Sequence, residues 1–306
     1  MRIGTIRDGT EFLPALIEGD RAYRLDDILG AMGGAPVAVP DGTDAATVLA
    51  TRKLAVAAAA AAASLPDLIA RGAAPSYPLY SLGPPVPRPG KIVCAGRNYA
   101  DHARELGEDV PSQPILFAKL ATSIRGPFDD VVRPFEVDDL DYEAELCVVI
   151  GSGGRRIPRE RALAHVAGYC CANDVSARNA QLGLGDQWLR GKSFDTFCPI
   201  GPWIVSADEI PDPQALAVRC RVDGSLRQNG STADMIFDVA TLIAYISDAF
   251  TLEPGDLILT GTPAGVAVGQ SPPPWLQPGQ LCEVEIPEIG VIANRIVAEG
   301  QGSTPQ

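Results

Sequence analysis

Five apolar residues in a row, Leu146, Cys147, Val148, Val149 and Ile150, follow directly on carboxylates at alternate positions, Asp141, Glu143 and Glu145. An apolar run of this length suits a strand covered on both faces of a sheet. Charges at the start of such a strand are costly unless something answers them. Strand geometry sends alternate side chains to one face, so Glu143 and Glu145 point the same way, with Asp141 on that face too. A second run of small and apolar residues, 166–172, ends just before Asn173 and Asp174, so a neighbouring strand end can bring in a third carboxylate. Parallel carboxylates repel unless a cation lies between them. Two readings stay open here: an oxygen-lined site for Mg²⁺, Mn²⁺ or Ca²⁺, or a solvated acidic edge with a turn at Asp174.

Further strand-like runs lie at 91–95, 115–118, 216–222, 257–260 and 282–286, and helical patterns at 100–105, 159–166 and 237–250. Glycine and proline turns separate them without regular strand–helix alternation, which favours a mainly β, α+β fold of the mixed sandwich or roll type. Residues 1–30 alternate short β-type runs with turns at Arg7-Asp8-Gly9 and Glu18-Gly19-Asp20, then an apolar segment at 25–32, as in a small α+β module. The alanine-rich stretch 45–63 predicts a helix that ends at Ser64-Leu65-Pro66, where a second short helix begins. A Pro- and Gly-rich connector at 80–90 marks the domain boundary: 1–84 a small N-terminal domain, 85–300 the main domain, 301–306 a flexible tail.

A net charge of -13 argues against nucleic acid and against anionic membrane surfaces as partners. No run is expected to reach the ~18–20 apolar residues of a membrane span, and the first residues lack a signal-peptide core, so a cytoplasmic protein is expected. Seven cysteines without a CxxC pair indicate neither a disulfide framework nor a thiolate zinc site. They read as small buried hydrophobes; for Cys94 and Cys198, near candidate motifs, reactivity is the alternative to packing.

The chain has two histidines. His102 and Glu105 are three apart and share one helix face, which makes either a general-base pair or a surface ion pair. His165, among Ala162, Leu163 and Val166, reads as structural. Arg178, Gln181 and Lys192 follow the acidic residues and either stabilise a developing oxyanion or neutralise the carboxylates. The glycine-rich turn after Leu259 offers Thr260, Thr262 and backbone N–H groups to an anion, without the Gly-Lys-Ser/Thr of a nucleotide loop.

Taken in order, Gly-Arg-Asn-Tyr-x-x-His-x-x-Glu (96–105), Asp-Tyr-Glu-x-Glu (141–145), Asn-Asp-Val-Ser-x-Arg (173–178), Gly-Lys-Ser-x-Asp (191–195) and Pro-Gly-Asp-x-Ile-x-Thr-Gly-Thr-Pro (254–263) resemble the fumarylacetoacetate hydrolase family across about residues 88–298. The resemblance implies a mixed β-sandwich roll with a small N-terminal α+β domain, a homodimer, and Mg²⁺ or Mn²⁺ held by Glu143, Glu145 and Asp174. It implies a lid helix carrying catalytic His102 and Glu105, with Lys192 as the third catalytic residue. Arg97, Tyr99, Arg178, Gln181 and Thr262 match positions that contact substrate. Leu120, Ala267 and Gln280 stand where the family commonly has proline, glycine and aspartate; none is a proposed ligand. The activity implied first is hydrolysis of a C–C bond in a 2,4-diketo acid of the acylpyruvate or fumarylpyruvate type, in aromatic or sugar-acid catabolism. The alternatives are isomerisation of 2-hydroxyhepta-2,4-diene-1,7-dioate, decarboxylation of oxaloacetate, or a keto-acid sensor that performs no chemistry.

Overall fold

The computed structural model describes residues 1–33, 37–183, 185 and 187–301. From residue 302 on, the tail expected at 301–306 lies outside the described residues. Strands dominate, as expected, in a twelve-stranded and a five-stranded sheet. From the middle of the larger sheet to one edge run Cys198–Ser206, Val166–Asn173, Ala144–Ile150, Leu257–Leu259, Ile92–Gly96 and Ile115–Lys119, in that order. Most neighbours are antiparallel, but Leu257–Leu259 runs parallel to Ile92–Gly96, so the sheet is mixed. The smaller sheet is built from Ala217–Val222, Ser225–Ser231, Leu281–Ile286, Gly290–Ala298 and Val131–Arg133.

Side-chain alternation in Ala144–Ile150 divides the core in two. Ala144, Leu146, Val148 and Ile150 join a cluster with Val218, Val284 and Ile292 of the smaller sheet. Cys147 and Val149 join a second cluster with Leu25, Ile28, Ala58, Ala61, Leu65 and Leu68 from the N-terminal helices. The central strand is therefore covered on both faces, as its unbroken apolar run requires. The N-terminal hairpin Arg2–Asp8 and Glu11–Glu18 is not separate from this sheet: Arg2 pairs with Val205 and Ile3 with Ile204.

Three local expectations are corrected. The alanine-rich region breaks at Thr51, not at 64–66: Asp44 caps a short helix, Ala45–Ala50, and a single helix then runs Arg52–Ala70 straight through Pro66. An interior proline costs about 3 kcal/mol, and the buried row Leu54, Ala58, Ala61, Leu65 and Leu68 on both sides of it outweighs that local preference. The same helix is long and apolar enough by composition to cross a membrane, contrary to expectation, although one face is packed inside the protein. Finally, 159–166 forms a 3₁₀ stretch, Arg159–His165, with no α-helical turn.

Candidate active site

The antiparallel register of Ala144–Ile150 and Val166–Asn173 sets Ala144 opposite Asn173 and Glu145 opposite Ala172. Glu143, Glu145 and Asp174 therefore emerge at one end of a strand pair. Their junction is tied twice: Asp174 N–H donates to Glu143 O at 2.9 Å, and Glu143 N–H donates to Asn173 Oδ1 at 3.0 Å. One oxygen from each of the three carboxylates lies within 4.8 Å of the others, and all three residues are buried. Asp141 stands outside the triad, although Arg178 reaches both it and Glu143. The ladder is interrupted at Tyr142 and Glu143, and Asp141 pairs in a separate two-stranded piece with Ser176. Its carboxylate is taken by Arg178 at 2.8 Å and by the N–H groups of Tyr142, Ala267 and Val268 at 2.8, 2.8 and 3.0 Å.

Cations reach the carboxylates unevenly. Lys192 Nζ bridges Glu143 and Asp174 at 2.7 and 2.8 Å, Lys119 Nζ meets Asp174 at 2.6 Å, and Arg178 meets Glu143 at 2.7 Å. Glu145 has no cation partner among the described residues and accepts only the Gly261 N–H, at 2.7 Å. Burial pushes both glutamates up, but Lys192 and Arg178 outweigh it at Glu143 and hold that carboxyl well below its usual range. At Glu145 burial, Asp174 and Glu143 act together and raise it well above that range. Burial works against the Lys192 ammonium, yet Asp174 and Glu143 keep it charged. Four buried carboxylates thus meet three buried cations, and Glu145 is the carboxylate left without an ion pair among the described residues. An all-oxygen triad with one uncompensated carboxylate fits a hard divalent cation.

His102 and Glu105 lie on the short helix Ala100–Glu105, with His102 Nδ1 3.4 Å from Glu105 Oε2. They do not form an exposed surface pair: His102 is buried, and Gly265 N–H donates to both Glu105 oxygens at 3.0 and 3.1 Å. A Cβ on Gly269 would stand 2.4 Å from Glu105 Cδ, so only glycine leaves room for this seat. His102, Glu143, Glu145, Arg178, Gln181 and Lys192 line one cleft, together with Arg97 and Thr262.

The remaining expected contacts are variously engaged. Arg178 also donates to Gln181 Oε1 at 2.8 Å, so its fork is filled by protein groups. Thr262 Oγ1 donates to Ala144 O at 2.9 Å and accepts from Gln228 Nε2 at 2.7 Å. Tyr99 is fully buried, its hydroxyl has no hydrogen-bond partner among the described residues, and it is not among the cleft-lining side chains. Cys94 and Cys198 are buried, and burial raises both thiols, Cys198 to about 12, which fits packing and not reactivity. His165 stands apart, its Nδ1 on Ser152 O. Lys119, Phe117 and Trp188 belong to the site without having been read as such. Lys119 ends the strand Ile115–Lys119, and a lysine closing an apolar strand was the available signal.

A profile described as Fumarylacetoacetate (FAA) hydrolase C-terminal matches residues 91–297. Oxaloacetate tautomerase FAHD2B, mitochondrial, of Bos taurus is 51% identical over 214 residues, covering 70% of this chain and 68% of that protein. Among solved structures, 5-carboxymethyl-2-hydroxymuconate delta-isomerase from Mycobacterium smegmatis matches with a TM-score of 0.72 and 31% identity, over 98% of this chain and 100% of that one. Maleylpyruvate hydrolase from Sphingobium sp. SYK-6, in complex with manganese(II) ion and pyruvate, matches with a TM-score of 0.75 and 31% identity, over 97% and 99%.

Proposed function

The chain belongs to the fumarylacetoacetate hydrolase family, and from that premise we propose that it is an enzyme moving a proton at the carbon beside the keto group of a small 2-keto acid, interconverting keto and enol forms. The observation that carries the reading is the buried His102, paired with a Glu105 that is seated on Gly265, lining the same cleft as Glu143 and Glu145 of the acid triad. Glu143, Glu145 and Asp174 would hold Mg²⁺ or Mn²⁺, which when bound supplies Lewis-acid polarisation of the keto oxygen. With Nδ1 turned to Glu105, Nε2 is the ring nitrogen of His102 left to take the proton and return it. Gly265 fixes the Glu105 carboxylate and, through it, the orientation of the imidazole. Lys192 supports negative charge on the substrate oxygens while holding Glu143 and Asp174 ionised. The tautomerase named for the 51%-identical relative supports this reaction.

A second reading keeps the hydrolase expected from the sequence. The same base would activate water against the distal carbonyl of a 2,4-diketo acid, with Gln181 and Lys192 at the oxyanion. The neighbouring hydrolase that holds manganese and pyruvate favours it. Isomerisation of a longer enol dioate follows from the same proton transfer and is supported by the isomerase neighbour. A homodimer is part of the proposal, to be checked by sedimentation.

The test is metal-stripped protein with and without Mn²⁺, given enol oxaloacetate, acetylpyruvate and fumarylpyruvate while enol absorbance and pyruvate are followed. Metal-dependent decay of the enol without pyruvate is the expected result. Pyruvate from the diketo acids would replace it with the hydrolase, pyruvate from oxaloacetate with a decarboxylase, and no turnover of any with the sensor.

A further inference from the structure

One wall of the cleft alternates cations with aromatic rings. Lys192 Nζ lies 5.2 Å from the Phe117 ring centroid. Phe117 meets Trp188 edge-on, with centroids 5.3 Å apart and planes at 64°. The Arg97 guanidinium lies 5.5 Å from the Trp188 centroid. All four side chains line the same cleft, so a cation stands at each end of a two-ring platform.

The two cations are held differently. Lys192 is committed to Glu143 and Asp174. Among the described residues Arg97 has one ion pair, with Glu108 at 2.9 Å, and the Glu108 side chain is 46% exposed. An exposed pair of this kind contributes little and exchanges readily. Placing the guanidinium there also asks something of the backbone. Arg97 sits at φ 54, a conformation that costs a residue other than glycine about 1 kcal/mol or more. The preceding Gly96 leaves room for the indole, since a Cβ there would stand 2.4 Å from Trp188 Cζ3. A surface ion pair with Glu108 alone would need neither feature.

Resting on the 2-keto acid reading above, we infer that Arg97, Trp188 and Phe117 form a subsite for the distal carboxylate of a dicarboxylic 2-keto acid. The keto-acid end faces the acid triad, the planar enol or diene chain lies along the rings, and the far carboxylate takes the Arg97 fork from Glu108. Guanidinium and carboxylate match in a two-point, charge-assisted pair, and the flat ring faces suit a conjugated chain. A neutral-tailed acylpyruvate would leave Arg97 on Glu108 and gain nothing at this end.

The test is calorimetric binding of pyruvate and 2-oxoglutarate to the Mn²⁺-loaded protein, wild type and Arg97→Gln, alongside turnover of enol oxaloacetate and enol acetylpyruvate. Wild type should bind the dicarboxylate at least tenfold tighter than pyruvate, and Arg97→Gln should erase most of that preference. The oxaloacetate to acetylpyruvate ratio of kcat/KM should fall with it, mainly through KM. Glu108→Gln, which frees Arg97, should keep or increase the preference. A wild type without preference, or an Arg97→Gln loss equal for both acids, overturns the subsite while leaving the keto-acid reading intact. Binding preference without any turnover sinks the reaction and keeps the subsite; binding of neither acid overturns both.

Discussion

Glu143 and Glu145 differ by one pleat and are opposite in what they do to stability. Glu143 answers Arg178 and Lys192, so Glu143→Gln leaves two buried cations short of a partner and should destabilise the fold by about 3–5 kcal/mol. Glu145 has no ion pair among the described residues, and burial, Asp174 and Glu143 outweigh the more distant Lys192. Glu145→Gln should therefore raise metal-free stability by about 1 kcal/mol, as relief of a strained functional site commonly does, while Mn²⁺ affinity falls at least a hundredfold. Thermal unfolding in chelator and Mn²⁺ titration of both variants read the two effects; equal destabilisation by both would refute the uneven charge pairing. The triad itself was legible because alternation and an adjacent strand end are local signals. The departure of Asp141 from the strand ladder was not legible, because nothing in its neighbours announces the break at Tyr142 and Glu143. The pairing of Lys119 with Asp174 spans 55 positions, and no local pattern carries it.

At the level of elements, the helix Ala100–Glu105 depends on a loop far from it in sequence. Gly269→Ala puts a methyl group 2.4 Å from Glu105 Cδ and should unseat the helix. We expect kcat to fall by about 10²-fold, the lower end for loss of a general base, with Mn²⁺ affinity kept and faster amide exchange across 100–107. Unchanged exchange there would show the seat to be dispensable. The helix Val239–Ala249 is held more conventionally: Asp238 accepts the Thr241 N–H at 2.7 Å and pairs with Arg159. Burial alone would raise the Asp238 carboxyl, but Thr241 and Arg159 outweigh it and depress it below 3.8. A depressed carboxyl stabilises the fold above its unfolded pKa and loses that contribution as pH falls through the folded one. Asp238→Ala should then cost about 1 kcal/mol at neutral pH, and its melting curve should converge on wild type under acid conditions below that value. A gap that persists there would assign the effect to packing. Helices and strands with strong periodicity were readable from the sequence. Pro66 was not, because its tolerance comes from Leu65 and Leu68 packing on another part of the chain.

Over the whole molecule, the packing crosses the connector at 80–90. The hairpin extends the main sheet from Cys198–Ser206, and the N-terminal helices cover Cys147, Val149 and Ile204 from one side. A fragment of residues 85–301 should expose that apolar face and an open strand edge. We expect it to aggregate or to lose a single sharp unfolding transition, measured by light scattering and calorimetry. A fragment that folds and melts cooperatively would establish residues 1–84 as dispensable.

The pairing of Arg2 with Val205 and Ile3 with Ile204 also bears on how the chain is made. At about 5–20 residues per second of synthesis, the first strand waits roughly 10–40 s before its partner emerges from the ribosome. Glu11–Glu18 can close on it at once as a hairpin, and Leu82–Gly83 then covers Thr5 and Ile6 on the other edge, but Arg2 and Ile3 stay open there through that interval. The start of Arg2–Asp8 is thus completed only once Cys198–Ser206 has been made, which makes it a stretch on which a nascent-chain chaperone would have much to do.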